Sequence, residues 1–376
     1  MKKLVFFVCV LSILLSGMVF AAGGQAGSGS RSTGPMYTES ELRNFRITPN
    51  QIPQSKLNTT LYMAVSIRGV DNPYLATIYE GMRMFSTYLD GIGQRHTIQL
   101  LDSGGSNERE VANMRAFAAR AGGNAIAYSD PNENAIAEAL ALSMSHSGGY
   151  IGTAWNKPGD VGPMDYTPNW VLHTSPNNVT SGYDIAKALF DHMGGSGEVF
   201  VIRGMDGNTA AIDRFTGFER ALREYPGIRV VANDTGNWAT AEALRLTETW
   251  LTANPNVGGI WCANDNMATG ALQALANRGM RGRVGVVGID ANTDIVEAVR
   301  DGIAVATVSS NGFLQAGYTL AVTYAVWAGL LDPHRMPRNY REFATPSVLI
   351  TSQNAAQWLS SAPTFDFANV FYWKAD

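Results

Sequence analysis

The stretch GIWCANDNMATGALQALANRGMRGRVGVVGID, Gly259 to Asp290, decides how the chain is read. An apolar run, a polar turn, an amphipathic segment, a basic connector and a second apolar run follow one another. That order predicts strand, turn, helix, connector and strand. The first run ends in Asn264-Asp265 and the second in Asp290, all side chains that exchange hydrogen bonds. In an open parallel sheet, ligands bind beyond the carboxyl ends of the strands. The segment therefore reads as one wall of a small-molecule site.

The same alternation extends in both directions. Strands are expected at 61–67, 97–103, 124–130 and 149–155, with helices at 74–90, 107–121 and 132–146 between them. A Pro- and Gly-rich loop at 157–169 interrupts the pattern, which resumes with strands at 170–176, 198–204, 229–234, 258–265, 284–290, 305–311 and 347–351. Helices at 178–193, 209–225, 239–253, 267–278 and 313–330 fill the intervals. Strand–helix alternation at this spacing means βαβ units with right-handed crossovers and parallel sheets. Two similar α/β halves result, and the late return of strand and helix implies that the chain crosses between them more than once.

Composition sets outer limits. The chain has 376 residues, 45% hydrophobic and 16% charged, enough for two cores. A net charge of −4 with no run of like charges argues against nucleic acid as a partner. Residues 1–21 read as an export signal: Lys2-Lys3, an apolar run from Leu4 to Met18, then Val19-Phe20-Ala21. Cleavage near Ala21 or Ala22 leaves a net charge of −6 and a single thiol, Cys262, so two large cores must hold the mature chain without an internal disulfide. Cys9 lacks the small neighbours of a lipoprotein cleavage site. Residues 22–60 read as a flexible linker and N-terminal extension, opening with GGQAGSGSRSTGP and holding one capping-box pattern at Thr38 or Ser40.

Several motifs, in order, resemble a known family. They are Asn72-Pro73-Tyr74 after the first strand, Arg214-Phe215-Thr216-Gly217-Phe218 at a helix start, and Asn264-Asp265-x-Met267-Ala268-x-Gly270-Ala271-Leu272 followed by Val287-Gly288-Ile289-Asp290. Thr345-Pro346-x-Val348-Leu349-Ile350-Thr351 completes the set. From Leu61 to Ile350 the chain resembles the periplasmic sugar-binding proteins of the ribose/galactose class, which share their type I fold with the ligand domain of lactose-repressor-type regulators. The resemblance implies an α/β fold of two doubly wound parallel-sheet domains joined by a three-strand hinge, closing on ligand. It puts the N-terminal domain at 61–175 plus 311–340, the C-terminal domain at 176–310 plus 341–356, and a C-terminal extension at 357–376. It also implies a periplasmic monomer that carries a sugar or sugar-like ligand to an ABC permease. The alternative is a receptor of the same fold that presents its ligand to a sensor kinase or chemoreceptor.

A sugar offers hydroxyls and weakly apolar faces, so its site needs carboxylates, amides, guanidinium groups and aromatic planes. By the resemblance, Asn264, Asp290 and Arg214 come from the second half, with Asp265 capping the following helix. Asp290 read alone also suits an N-cap near Thr293, and Arg214 a surface ion pair with Asp213. From the first half come Arg68, Asn72, Tyr74 and Ser129. Asn72 could equally form only a turn, and Tyr74 could be ordinary core. Trp238 would stack with Tyr74 about the ring or fill an interface, and Asn311, or Ser310 one position earlier, begins the last hinge crossing. Trp155-Asn156 departs from the Asp-Arg pair of ribose-type relatives. An indole and an amide replace a charged clamp there, which puts ribose in doubt.

Nothing in the sequence demands catalysis, a metal or a cofactor. Asp130-x-Asn132-x-Asn134 has the start of a calcium loop, but Ala135 and Ala141 stand where Gly and Glu are needed, so it reads as a polar helix start. Gly194-Gly195-x-Gly197 precedes a strand and is no dinucleotide fingerprint. The five histidines are scattered.

Overall fold

A computed structural model describes residues 34–361 and 364–374. The export signal and the glycine-rich start of the linker lie outside the described residues. Strands β1 (Leu61–Ile67), β2 (His96–Asp102), β3 (Ala125–Ser129), β4 (Tyr150–Ala154) and β5 (Trp170–Pro176) belong to the N-terminal lobe. Strands β6 (Ser196–Arg203), β7 (Gly227–Thr235), β8 (Gly259–Cys262), β9 (Gly285–Val287) and β10 (Ala306–Ser309) belong to the C-terminal lobe. The short strands β11 (Glu342–Thr345) and β12 (Val348–Thr351) go one to each.

The first sheet runs β11-β5-β4-β3-β1-β2, all parallel. The second runs β12-β10-β9-β8-β6-β7, parallel except for β12, which lies antiparallel to β10 at the edge. Such strands are covered on both faces, so they read as continuous apolar runs; β3 and β8 are buried along their whole length. In each sheet the order reverses beside the first strand, between β1 and β3 and between β6 and β8. Those switch points are where a doubly wound sheet opens a crevice.

The chain crosses between lobes at 176–178, 309–312 and 345–348. The last crossing lies beyond residue 341, where the sequence reading put it, because Glu342–Thr345 pairs with β5 before Pro346 breaks the run. The N-terminal extension also differs from the reading. Thr38 forms a true capping box with Glu41, and Leu42, Ile47 and Ile52 are buried in the N-terminal core. Of the C-terminal extension, Phe367, Val370, Phe371 and Trp373 join the same core. The ends pair directly, Ile47 N–H donating to the Ala368 carbonyl at 2.8 Å. Residues 37–57 are therefore packed structure. Their apolar side chains are too few and too irregularly spaced to show a period in the sequence.

In the C-terminal lobe, helices Asn178–His192 and Thr209–Glu224 touch at two glycines. A Cβ on Gly182 would lie 2.0 Å from the Arg214 carbonyl oxygen, and one on Gly217 would lie 2.1 Å from that of Val179. This close approach sets where Arg214 stands. Gly182→Ala should therefore destabilise the protein by about 1–3 kcal/mol through overpacking against backbone, read as a lower urea midpoint with an unchanged m-value.

Candidate functional site

The strand ends of the two lobes face each other across a cavity with about 370 Å³ of empty space, partly open to solvent. Nine of the eleven side chains singled out by sequence line it: Arg68, Asn72, Tyr74, Trp155, Asn156, Arg214, Trp238, Asn264 and Asp290. Ser129 and Asn311 do not. Asp130 and Asn208 line it as well, and sequence reasoning passed over both.

Arg214 is the centre of the C-terminal wall. It is only 3% exposed; its Nε donates to Asn178 Oδ1 at 3.1 Å and its Nη1 to the Ala263 carbonyl at 2.7 Å. Its Nη2 lies 3.9 Å from Asp290 Oδ1, a loose ion pair beyond hydrogen-bond range. The guanidinium carbon sits 5.0 Å from the Trp155 ring centre and 5.5 Å from that of Trp238, one indole from each lobe. Trp238 reaches this place because Gly204 lies beneath it, where a Cβ would come within 2.0 Å of the ring. Asp213 is not the partner of Arg214.

Asn264 lines the cavity and also takes the capping role that the resemblance gave to Asp265. Asn264 Oδ1 caps its own helix, accepting from Met267 N–H at 3.0 Å, and its side chain helps to lower the Asp290 pKa against burial. Asp265 is fully buried and does not cap that helix. It accepts from Thr307 Oγ1 at 2.8 Å and from Asn292 N–H at 2.8 Å, tying β10 to the turn after Asp290. Both residue types make good caps, so sequence cannot choose between adjacent ones. Asp290 itself has φ 135°, and Ala291 follows at 56°. Trp155 and Trp238 are also left-handed, at φ 64° and 63°. Backbone strain of this kind concentrates at functional sites.

In the N-terminal wall, Asn72 lines the cavity while its Oδ1 caps the helix Pro73–Gly91 by accepting from Tyr74 and Leu75 N–H. Tyr74 packs edge-on against Trp155, with centroids 5.8 Å apart. The Trp155 N–H is turned toward the Tyr74 hydroxyl, but outside hydrogen-bond geometry. Ser129 points away and donates to Glu110 Oε1 at 3.0 Å. Its neighbour Asp130 takes the place at the cavity, because successive residues of an extended chain face opposite ways. The strand-end argument would have found Asp130 had the D-x-N-x-N pattern not assigned it to a helix start. Asn311 Oδ1 caps the helix Gly312–Trp327, accepting from Leu314 N–H at 3.2 Å. Ser310 is buried, but it too stays off the cavity.

Asn156 bridges the lobes instead of standing free. Its Nδ2 donates to the Pro131 carbonyl at 2.8 Å, and its Oδ1 accepts from Thr209 N–H, in the opposite lobe, at 3.1 Å. Asn134 Oδ1 accepts from the same N–H at 3.2 Å and from Thr209 Oγ1 at 2.6 Å. Asn208 Nδ2 reaches the Asn132 carbonyl at 3.4 Å. The lobes are closed on each other around the cavity. No group of three or more His, Cys, Asp or Glu suited to a metal occurs among the described residues, nor any helix long and apolar enough to cross a membrane.

Comparison with known proteins gives the site a context. The "Periplasmic binding protein domain" family matches residues 63–330. A xylitol-binding protein of Mycolicibacterium smegmatis is 35% identical over 164 residues, 43% of this chain and 47% of its own length. The match thus spans about half of that relative. The ribose import binding protein RbsB of Salmonella typhimurium is 27% identical over 247 residues, 66% of this chain and 78% of its own. A twin-arginine translocation pathway signal protein from Burkholderia phytofirmans superposes with a TM-score of 0.79 at 31% identity, covering 84% of this chain and 98% of the other.

Burial raises the Asp130 carboxyl to about 6, with Arg68 opposing, and raises Asp290 to about 7, with Arg214 and Arg68 opposing. An unfolded chain releases both protons near pH 4. Between about pH 4 and 7 the closed protein holds protons that the unfolded chain has lost, so stability falls as pH rises through that window. Asp290→Asn should remove part of that decline, measured as the slope of urea-unfolding free energy between pH 4.5 and 7.5.

Proposed function

The chain belongs to the periplasmic binding protein domain family, and we propose that it captures a sugar or polyol between its lobes and hands it to an ABC importer. One observation carries the ligand class. Arg68 Nη1, Tyr74 OH, Trp155 Nε1 and Trp238 Nε1 are all buried at the cavity without a hydrogen-bond partner among the described residues. Each is an N–H or O–H donor, and a buried donor without an acceptor costs about 1–3 kcal/mol. Two carboxylates, Asp130 and Asp290, face them. A polyhydroxylated neutral ligand meets both sets at once, its oxygens accepting from the donors and its hydroxyls donating to the carboxylates, while the indole and phenol planes cover its C–H faces.

The relatives that bind xylitol and ribose support this class. Ribose fits this cavity less well than it fits a site with a charged clamp, since Asn156 is engaged across the lobes and Trp155 presents an apolar plane. A different pentose, a hexose or a polyol suits the walls better. The import role of the ribose relative favours delivery to a permease over presentation to a sensor. In this reading the protein is a monomer that binds without turnover, acts in the periplasm after cleavage near Ala21 or Ala22, and has neither cofactor nor nucleic-acid partner.

A thermal-shift screen of the mature protein against xylitol, ribose, allose, arabinose, fucose and myo-inositol tests the class. A ligand at 100 times its dissociation constant should stabilise by about 2.7 kcal/mol. No shift with any sugar or polyol would overturn the proposal. With the ligand so identified, Asp290→Asn should weaken binding by roughly 10- to 100-fold, read by titration calorimetry, while leaving the unliganded fold intact.

A further inference from the structure

One buried carboxylate has no place in the cavity. Glu110, on the helix Asn107–Ala121, is fully buried beneath the carboxyl ends of β1 and β3. Its Oε1 accepts from Ser66 Oγ at 3.1 Å and from Ser129 Oγ at 3.0 Å, and its Oε2 accepts from Asn132 N–H at 3.0 Å. Three donors compensate it, and among the described residues no cation pairs with it; Asp130 is the charged group that faces it. Burial raises Glu110 to about 7, opposed by the bonds from Asn132 and Ser129.

What Glu110 holds is the loop 130–134, and that loop does two things. It presents Asp130 to the cavity. It also reaches the start of the opposing helix Thr209–Glu224, where the Asn132 carbonyl accepts from Asn208 and Asn134 accepts from Thr209. The Thr209 N–H is one of the donors a helix N-terminus leaves unpaired. Here the other lobe satisfies it, so closure completes a helix cap. Asn132 is gripped from both sides: its N–H bonds Glu110 and its carbonyl bonds Asn208. A second tie, Asn132 Nδ2 to Ser103 Oγ at 3.1 Å, fixes its side chain.

We propose that Glu110 is the positioning residue of the closed form, holding the 130–134 loop in the shape that engages both the cavity and the opposite lobe. The proposal rests on the binding reading above, in which closure captures the ligand, but it concerns bonds within the chain. Replacing Glu110 by Ala leaves the Asn132 N–H buried without an acceptor and frees the loop. A glutamine there turns its carbonyl oxygen to Asn132 and donates its amide to the two serine hydroxyls, so the support survives without charge.

Hydrogen–deuterium exchange of the unliganded protein tests it. In Glu110→Ala, exchange should speed by about tenfold both at 130–134 and at 208–211, in the other lobe. The rest of the C-terminal lobe should not change, and Glu110→Gln should restore both segments. Asn134→Ala should loosen 208–211 alone. If Glu110→Ala does not fold, Glu110→Asp, which withdraws the carboxylate by one methylene, is read the same way. Unchanged exchange at 208–211 would overturn the proposal, because a purely local support cannot reach the second lobe. So would a wild-type Thr209 amide that exchanges as fast as a solvated one. A failed sugar screen beside the expected exchange pattern would sink the ligand class and leave the latch standing.

Discussion

The closed structure depends on how one guanidinium is compensated. Arg214 is buried where the two lobes meet, and a buried charge must find partners or be excluded. Its burial penalty is opposed chiefly by Asp290, with Asp265 and Asp130 adding smaller contributions. Two of its nitrogens are fixed by Asn178 and the Ala263 carbonyl, which lie at the first crossing helix and at the end of β8. The third faces Asp290 at a distance too long for a firm hydrogen bond. The scaffold thus orients the group completely and leaves part of its bonding capacity open. Helix packing through Gly182 and Gly217, the left-handed turn at Asp290 and the stacked indoles all serve that single placement.

The strained turns follow from the same requirement. A strand delivers side chains alternately to its two faces, so a ligand lying off the strand tip is met only if the chain turns sharply just beyond it. Trp155 comes directly after β4, Asp290 three residues after β9 and Trp238 three residues after β7. Each takes a positive φ that a side chain other than glycine's adopts only at a cost. Beneath Trp155 and Asp290 the strands β4 and β9 are almost wholly buried and supply the rigidity that holds these turns.

Legibility in the sequence tracked the length of the signal. The strand–helix alternation was plain because each unit repeats a period over ten or more residues, and the ordered motifs carried the fold and most of the cavity wall. Where one residue decides, pattern gave out. Ser129 and Asp130 are neighbours with opposite directions, and a shift of one position exchanges the wall residue for one that braces a helix. Asn264 and Asp265 are equally good caps, and only the third dimension shows that Asp265 has Thr307 and Asn292 to satisfy. The N-terminal extension was read as linker because its buried residues are isolated apolar side chains, each docking separately onto one lobe. The last crossing was misplaced because a four-residue strand ending at a proline carries almost no period.

Asn156 shows why affinity here cannot be read from the cavity wall alone. It occupies a position from which a charged clamp could hold a ligand, yet its oxygen is committed to the Thr209 N–H of the opposite lobe. Hydrogen bonds made inside the chain stabilise the closed form whether or not a ligand is present. A ligand shifts such an equilibrium only by its differential affinity for the two states, and a competent state that is already populated raises apparent affinity by that fraction. The latch and the unsatisfied cavity donors therefore work in opposite directions. The first favours closing the empty protein, and the second penalises it until a polyhydroxylated guest supplies acceptors.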